Sequence, residues 1–156
     1  MDKFEKLFGK DGLMRLSDLR SYGSGVGGRV PNDIADSVYF FIGTEKKTKT
    51  TLKIFVGKNI LKRLGIPADS RIDFVWSRKE MVGGIYPSQN GYKLQDGYQK
   101  HAGEKRTDPG YSFIIIRHKT PMPLCEKHKY VKMQSLTLDT EDRTIIFNMP
   151  AKDVFF

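Results

Sequence analysis

The chain has a single cysteine and no long run of apolar residues. Cys125 alone cannot form an intramolecular disulfide, so a reducing cytosol is the expected compartment. The longest apolar runs, 38–42 and 113–116, are far shorter than the roughly 20 residues of a transmembrane helix. Residues 1–12 alternate charged and apolar side chains and lack the apolar centre of a signal peptide. We therefore expect a cytoplasmic protein with no membrane partner.

Acidic residues are scarce relative to basic ones. The 156 residues include 27 Lys and Arg but only 18 Asp and Glu, which gives a formal net charge of +9. This sign argues against an acidic mimic of DNA and favours a polyanionic partner such as nucleic acid. The length fits one domain, and a chain of this size can bury a core without disulfides or metals.

Strand patterns dominate the chain after residue 36. Aromatic and β-branched residues at 38–42 and alternating residues at 52–56 predict a hairpin with a lysine-rich tip. Further strands are predicted at 71–76, 81–86, 111–117, 131–138 and 144–149. The predicted fold class is mainly β (α+β): a small β-barrel with short helices and an irregular N-terminal arm.

The predicted domain organisation follows a repeated rhythm of strands and turns. Apolar residues spaced three and four apart within 1–22 indicate short helices, and a glycine-rich loop follows at 23–28. Two later segments show a similar succession of strands and turns, which suggests two swapped-hairpin-like half-modules in one chain. The predicted units are an N-terminal arm with the glycine-rich loop (1–36), a β-barrel domain (37–150) with half-modules 37–86 and 111–150 and a linker (87–110), and an apolar tail (151–156).

The segment NILKRLG at 59–65 predicts a short helix. Ile60 and Leu64 lie four residues apart, which places them on one face. Asn59 is a candidate N-cap, and Gly65 is suited to the left-handed residue that ends a helix.

Residues 52–74, LKIFVGKNILKRLGIPADSRIDF, resemble the AbrB/MazE-like swapped-hairpin family of DNA-binding proteins. The matching positions are Ile54 and Val56 in the first strand, Ile60 and Leu64 in the helix, Gly65 and Ile66 at its end, and Arg71 to Phe74 in the next strand. The resemblance implies a small β-barrel that lays basic side chains on DNA, with Lys53 and Lys58 at the fitting positions. Gly57 stands where the family usually has proline, and residues 68–70 replace its Pro-Gly-Asp turn. Closure within a monomer and closure between the chains of a homodimer both stay open.

Basic residues are concentrated in two stretches. Seven basic residues face one acidic residue in 45–63, and five face one in 117–132. Such segments bind phosphates through counterion release, although lysines also serve as solvated residues that protect sheet edges. The candidate nucleic-acid-binding residues are Lys46, Lys47, Lys49, Lys53, Lys58, Lys62, Arg63, Arg117, Lys119, Lys127 and Lys129, with Arg29 beside the glycine-rich loop.

The remaining motifs support neither a cofactor nor a metal. The GxGxxG spacing at 23–28 lacks the preceding strand and following helix of a dinucleotide site. Cys125 and His128 form only half of a zinc motif. His118 and His128 are candidates for the acid and base of a small phosphodiesterase, but nothing in the sequence pairs them, so no catalytic residue is assigned.

The sequence therefore predicts a nucleic-acid-binding protein in a regulatory or accessory role, with double-stranded DNA favoured over RNA. Tyr92 and Tyr98, in a polar segment, are candidates for stacking on unpaired bases, which keeps single strands open. The alternative is an inhibitor or adaptor that binds an acidic protein. Its apolar contact would be the tail residues Val154, Phe155 and Phe156.

Overall fold

The computed structural model describes residues 3–9, 13–15, 30–45, 49–77, 79–96, 109–118 and 130–149. The helices are α1 (Lys3–Phe8), a short 3₁₀ helix (Ile34–Asp36) and α2 (Lys58–Leu64). The strands are β1 (Leu13–Arg15), β2 (Val38–Glu45), β3 (Lys49–Gly57), β4 (Arg71–Ser77), β5 (Val82–Pro87), β6 (Tyr92–Lys93), β7 (Gln95–Asp96), β8 (Tyr111–His118), β9 (Tyr130–Lys132), β10 (Gln134–Asp139) and β11 (Thr144–Asn148). No helix among these residues has the length and apolar composition needed to cross a membrane.

The strands form two antiparallel sheets. The first sheet has the order β1-β4-β5-β11-β10, with β6 also paired to β4, and the second has the order β7-β8-β3-β2-β9. The predicted mainly β class is confirmed. Within the described residues neither sheet closes on itself, so the predicted barrel is an open pair of sheets.

Strands from both predicted half-modules enter each sheet. The β2–β3 hairpin is flanked by β8 and β9 in the second sheet, and β5 pairs with β11 in the first. The chain changes sheets at Met133, whose backbone N–H donates to the carbonyl of Val38 at 2.9 Å. The single strand predicted at 131–138 is therefore two strands, β9 and β10, in different sheets.

The N-terminal arm and the linker both contain strands that were not predicted. Helix α1 confirms one of the expected short helices, but Leu13–Arg15 is a strand that pairs with β4. The linker 87–110 contains β6, paired with β4, and β7, paired with β8. The glycine-rich loop at 23–28 lies outside the described residues.

An aromatic group at the centre of the core joins the two sheets. The ring of Phe40, in the second sheet, lies 5.0 Å from Phe74 and 6.2 Å from Phe147 of the first, edge-on to both. Phe74 also stacks on Trp76 at 5.1 Å. The predicted inward face of β4 is confirmed, because Ile72, Phe74 and Trp76 are all buried.

Helix α2 follows β3 and packs its apolar face into the core. Its N-cap is Gly57, so the predicted cap at Asn59 is wrong. Asn59 lies in the first turn instead, where its side-chain amide donates to Asp36 at 2.9 Å. The predicted stop is confirmed, since Gly65 has a left-handed φ of 66° and its N–H donates to carbonyls of the last turn. The buried side chains of α2 are Ile60, Leu61 and Leu64.

Replacing Gly57 with Ala is expected to lower the free energy of unfolding by about 3 kcal/mol. A Cβ at this position would lie 2.3 Å from the carbonyl oxygen of Ala35 and 2.5 Å from that of Ile34, so the 3₁₀ helix would have to shift. Denaturant unfolding followed by the fluorescence of Trp76 measures the loss. Gly43→Ala is the control, because the nearest atom of the described residues to its Cβ would be in the ring of Phe41, at 3.5 Å. Equal losses in both variants would contradict this account.

Candidate nucleic-acid interface

The pairing of β3 with both β2 and β8 places the start of the second basic stretch, at Arg117, beside the first basic stretch. The predicted hairpin is confirmed, and its register runs from Val38 opposite Val56 to Glu45 opposite Lys49. On the other side of β3, Arg117 lies opposite Thr51. The backbones of Lys49 and Arg117 therefore lie at one end of the second sheet, next to the hairpin tip. We call this the hairpin end; its described residues are 45, 49, 50, 117 and 118.

The structure separates the first basic stretch into two groups. Helix α2 begins at the other end of β3, beyond Gly57. At about 3.3 Å per residue, the eight steps from Lys49 to Gly57 span about 26 Å. Lys49 and the first residue of α2, Lys58, thus lie at opposite ends of β3.

Two exposed cations stand side by side in the last turn of α2. Lys62 and Arg63 are both exposed, because Ile60, Leu61 and Leu64 turn the opposite face of the helix into the core. Neither cation has an acidic partner within the described part of the chain. Cations in a last turn also interact favourably with the helix dipole, which supports their local stability. Lys58, in the first turn, is half-buried and makes an interaction of its own.

A second pair of exposed cations was not predicted. Arg71 of β4 and Lys93 of β6 are direct neighbours in the antiparallel register, so their side chains lie on the same face. The guanidinium of Arg71 donates to the carbonyl of Gly91 at 3.1 Å, which fixes its position. Like charges directly opposite each other are destabilising unless an anion lies nearby. The two-residue strand β6 carries too little pattern for sequence reasoning to find this pair.

Lys53 departs from the prediction. It was expected to reach DNA, but its side chain is only 4% exposed in the middle of β3. Its ammonium lies 5.5 Å from the centre of the Phe113 ring. Burial lowers the pKa of Lys53 below its ordinary value of 10.5. A side chain in this position is not available to a DNA backbone at the surface.

Replacing Lys53 with Met is expected to raise the free energy of unfolding at pH 7 by about 1 kcal/mol, because methionine keeps the stem and removes a buried charge. The lowered folded pKa means that the folded protein releases this proton before the unfolded chain does. Stability of the native protein should therefore rise as the pH increases from below the folded pKa to 10.5. Urea denaturation between pH 7 and 10.5 should show this rise in the native protein and a smaller one in K53M. A less stable K53M at pH 7 would contradict the prediction.

Two other cations of the described surface, Lys132 and Lys3, are paired with acidic residues. Lys132 of β9 donates to Asp33 at 2.5 Å, and the hydroxyl of Tyr39 donates to the same carboxylate at 2.5 Å. These bonds lower the pKa of Asp33 to about 2, while burial and the bond to Asp33 raise that of Tyr39 to about 12. Lys3 forms ion pairs with Asp139 and Asp142. Lys62 and Arg63 differ from these in having no acidic partner among the described residues.

A small cavity of about 130 Å³ lies beside α2. Its walls come from the 3₁₀ helix, α2 and β10, with Asp36 and Arg63 among the lining residues. The volume is below the 300–1,000 Å³ of typical small-molecule sites. We therefore assign no ligand to this cavity.

Several predicted residues lie outside the described part of the chain. These are Lys46, Lys47, Arg29, Lys119, Lys127, Lys129, His128, Cys125, Tyr98 and the tail residues Val154, Phe155 and Phe156. Tyr92 is described, and it is half-buried against the core rather than free to stack on a base. No group of three or more metal-ligating side chains occurs among the described residues.

Comparisons with known proteins add no relative. No protein-family model, no curated protein and no solved structure matches this chain. The succession β3, α2, β4 agrees with the order of elements that the AbrB/MazE-like resemblance implies, but membership of that family stays a prediction.

Proposed function

We propose that this protein binds nucleic acid, with double-stranded DNA as the preferred ligand, in an accessory or regulatory role. The observation that carries the proposal is the register of β3 with β8, which places the backbone of Arg117, from the second basic stretch, beside the strand that begins at Lys49. The net charge of +9 supports the same conclusion.

The hairpin end is the main contact in this proposal. Its basic residues would neutralise backbone phosphates and release counterions, a mode of binding that reads charge rather than base sequence. The residues assigned to it are Lys46, Lys47, Lys49, Arg117 and Lys119. Lys53 is not part of it, because its side chain is buried.

The cations of α2 provide a second contact. Lys62 and Arg63 are exposed and have no acidic partner within the described residues. Strand β3, which connects the two groups, is about 26 Å long, a length that about eight base pairs of a duplex cover. A stiff duplex holds its phosphates at such a separation, whereas a flexible single strand must be ordered first, and this favours double-stranded DNA.

Fluorescence anisotropy with labelled duplex DNA, single-stranded DNA and RNA of equal length tests the proposal. At low salt all three should bind, and the duplex should have the lowest Kd. Tighter binding of RNA or of the single strand would overturn the preference for duplex DNA. Failure of all three ligands to bind would overturn the proposed function, and an acidic protein partner would then be sought.

A further inference from the structure

The cavity beside α2 has the size of a single side chain rather than of a small-molecule ligand. Leu136 and Leu138 alternate along β10, so both point to the side of the sheet that packs against the core, and Ile60 lines the cavity with them. Its volume of about 130 Å³ is close to that of an engineered apolar cavity of about 150 Å³ that binds benzene. One phenyl ring therefore fits the space between α2 and β10.

A cation without a counter-ion lines the same cavity. Asp36 and Asn59 are also lining residues, but they bond to each other, since the amide of Asn59 donates to the carboxylate of Asp36 at 2.9 Å. Arg63 lines the cavity and has no acidic partner among the described residues. A guanidinium beside apolar walls favours an occupant that brings both an aromatic ring and a carboxylate.

The tail, 151–156, carries both of these groups at a suitable spacing. Its sequence is AKDVFF, in which Asp153 precedes Phe155 by two residues. In an extended segment these two side chains point to the same side, about 7 Å apart, whereas Phe156 points to the other side. An extended tail can therefore present one ring and one carboxylate together.

The tail begins close enough to reach the cavity. At the end of β11, Asn148 pairs with Gln134, the first residue of β10. From Gln134 to Leu138 strand β10 advances about 13 Å, whereas the six residues that follow Met149 span up to about 20 Å when extended. The length of chain after β11 therefore lets Phe155 reach the cavity.

We propose that the tail docks beside α2 of its own chain, with the ring of Phe155 in the cavity and the carboxylate of Asp153 paired with Arg63. The ring covers apolar surface of β10 and α2, and the carboxylate accepts from the guanidinium. Because the tail is tethered next to β10, its effective concentration at the cavity is about millimolar, so a weak contact is enough to hold it. The docking does not rest on the proposed function.

Disulfide trapping in the full chain tests the docking. K62C places a thiol next to Arg63, V154C places one between Asp153 and Phe155, and C125S removes the native thiol. With oxidised glutathione and about 1 μM protein, the intramolecular disulfide should form about tenfold more slowly when F155A is added. F156A is the matched control and should change the rate less than about twofold. Circular dichroism checks that each variant is folded.

Three results would overturn the docking as proposed: no intramolecular disulfide, a rate that F155A leaves unchanged, or a rate that F156A lowers as much as F155A. Disulfide-linked dimers as the main product would assign the cavity to the tail of a second copy and would also contradict the proposal. Mass spectrometry separates the two products. D153N should slow the reaction about threefold, because it removes the ion pair with Arg63, and an unchanged rate would contradict that pair.

A docked tail competes with DNA for Arg63, a consequence that does rest on the proposed function. F155A releases the tail without changing the net charge, so its Kd for a labelled duplex should be about threefold lower than that of F156A. Fluorescence anisotropy measures both values. Equal Kd values would contradict the competition. Failure of the native protein and both variants to bind would overturn the proposed function, while the disulfide rates decide the docking separately.

Discussion

Charge reversal at the hairpin tip, K46E/K47E, is expected to raise the Kd for duplex DNA about a hundredfold at low salt. Each charge-assisted contact to a phosphate contributes about 1.4 kcal/mol or more, which is a factor of ten in affinity. The reversed charges also repel the DNA that the neighbouring cations attract. Fluorescence anisotropy with a labelled duplex measures the change, and circular dichroism checks that the fold is retained.

Two further double variants with the same change in net charge provide the comparison. K62E/R63E removes the second contact and should raise the Kd about tenfold, because α2 only extends the interface. K6E/K79E reverses two exposed lysines of α1 and the β4–β5 turn and should change the Kd less than threefold. Equal effects in all three variants would show that net charge alone matters, which would contradict a defined interface.

Replacing Phe74 with Ala is expected to lower the free energy of unfolding by about 4 kcal/mol. Phe74 is fully buried, and its ring contacts Phe40, Trp76 and Phe147 at the junction of the two sheets. The substitution leaves a cavity where the sheets meet, and the surrounding rings can fill it only partly. Urea denaturation followed by circular dichroism measures the loss without depending on the fluorescence of the neighbouring Trp76.

The control for F74A is a substitution of an apolar side chain that, unlike Phe74, lies largely outside the core. Leu7 in α1 is 53% exposed, so L7A should cost less than about 0.5 kcal/mol. If F74A cost no more than L7A, the aromatic group would not be what joins the sheets.

Local patterns in the sequence predicted the elements whose signals lie within a few residues. The hairpin β2–β3 followed from β-branched and aromatic runs on either side of a polar tip, and β4 from the alternation of Ile72, Phe74 and Trp76. Helix α2 followed from two apolar residues four apart and from Gly65, whose left-handed φ is observed. Its N-terminal boundary was displaced, because the side chain of Asn59 bonds to Asp36, which is distant in sequence.

The sequence analysis missed the strands that form only because they pair with strands distant in the sequence. The pattern of 131–138 is compatible with one strand, and only the pairing of β9 with β2 and of β10 with β11 divides it at Met133. Leu13–Arg15 is a strand because it pairs with the edge of β4. The apolar residues around it in the sequence have helical spacing. Tertiary pairing overrides local propensity in both segments.

The burial of Lys53 could have been predicted from the sequence of β2, although not from that of β3 alone. Alternation in β3 suggests that Lys53 points to solvent, as lysines on a half-buried strand usually do. However, β2 is apolar on both faces, with Tyr39 and Phe41 on the same side as Lys53. Strands that are apolar on both faces are typical of a sheet buried on both sides. Reading the two strands of the hairpin together would have placed Lys53 in an apolar environment.

The salt dependence of duplex binding tests the central claim most directly. If all seven cations assigned to the hairpin end and α2 contact phosphates, log Kobs should fall with log salt concentration with a slope of about −6, and K46E/K47E should reduce its magnitude by about 2. Anisotropy titrations of both proteins from 50 to 200 mM salt measure the two slopes. A steep slope that becomes shallower in the variant is the result we predict. A slope near zero, or the same slope in both proteins, would contradict binding through the hairpin end.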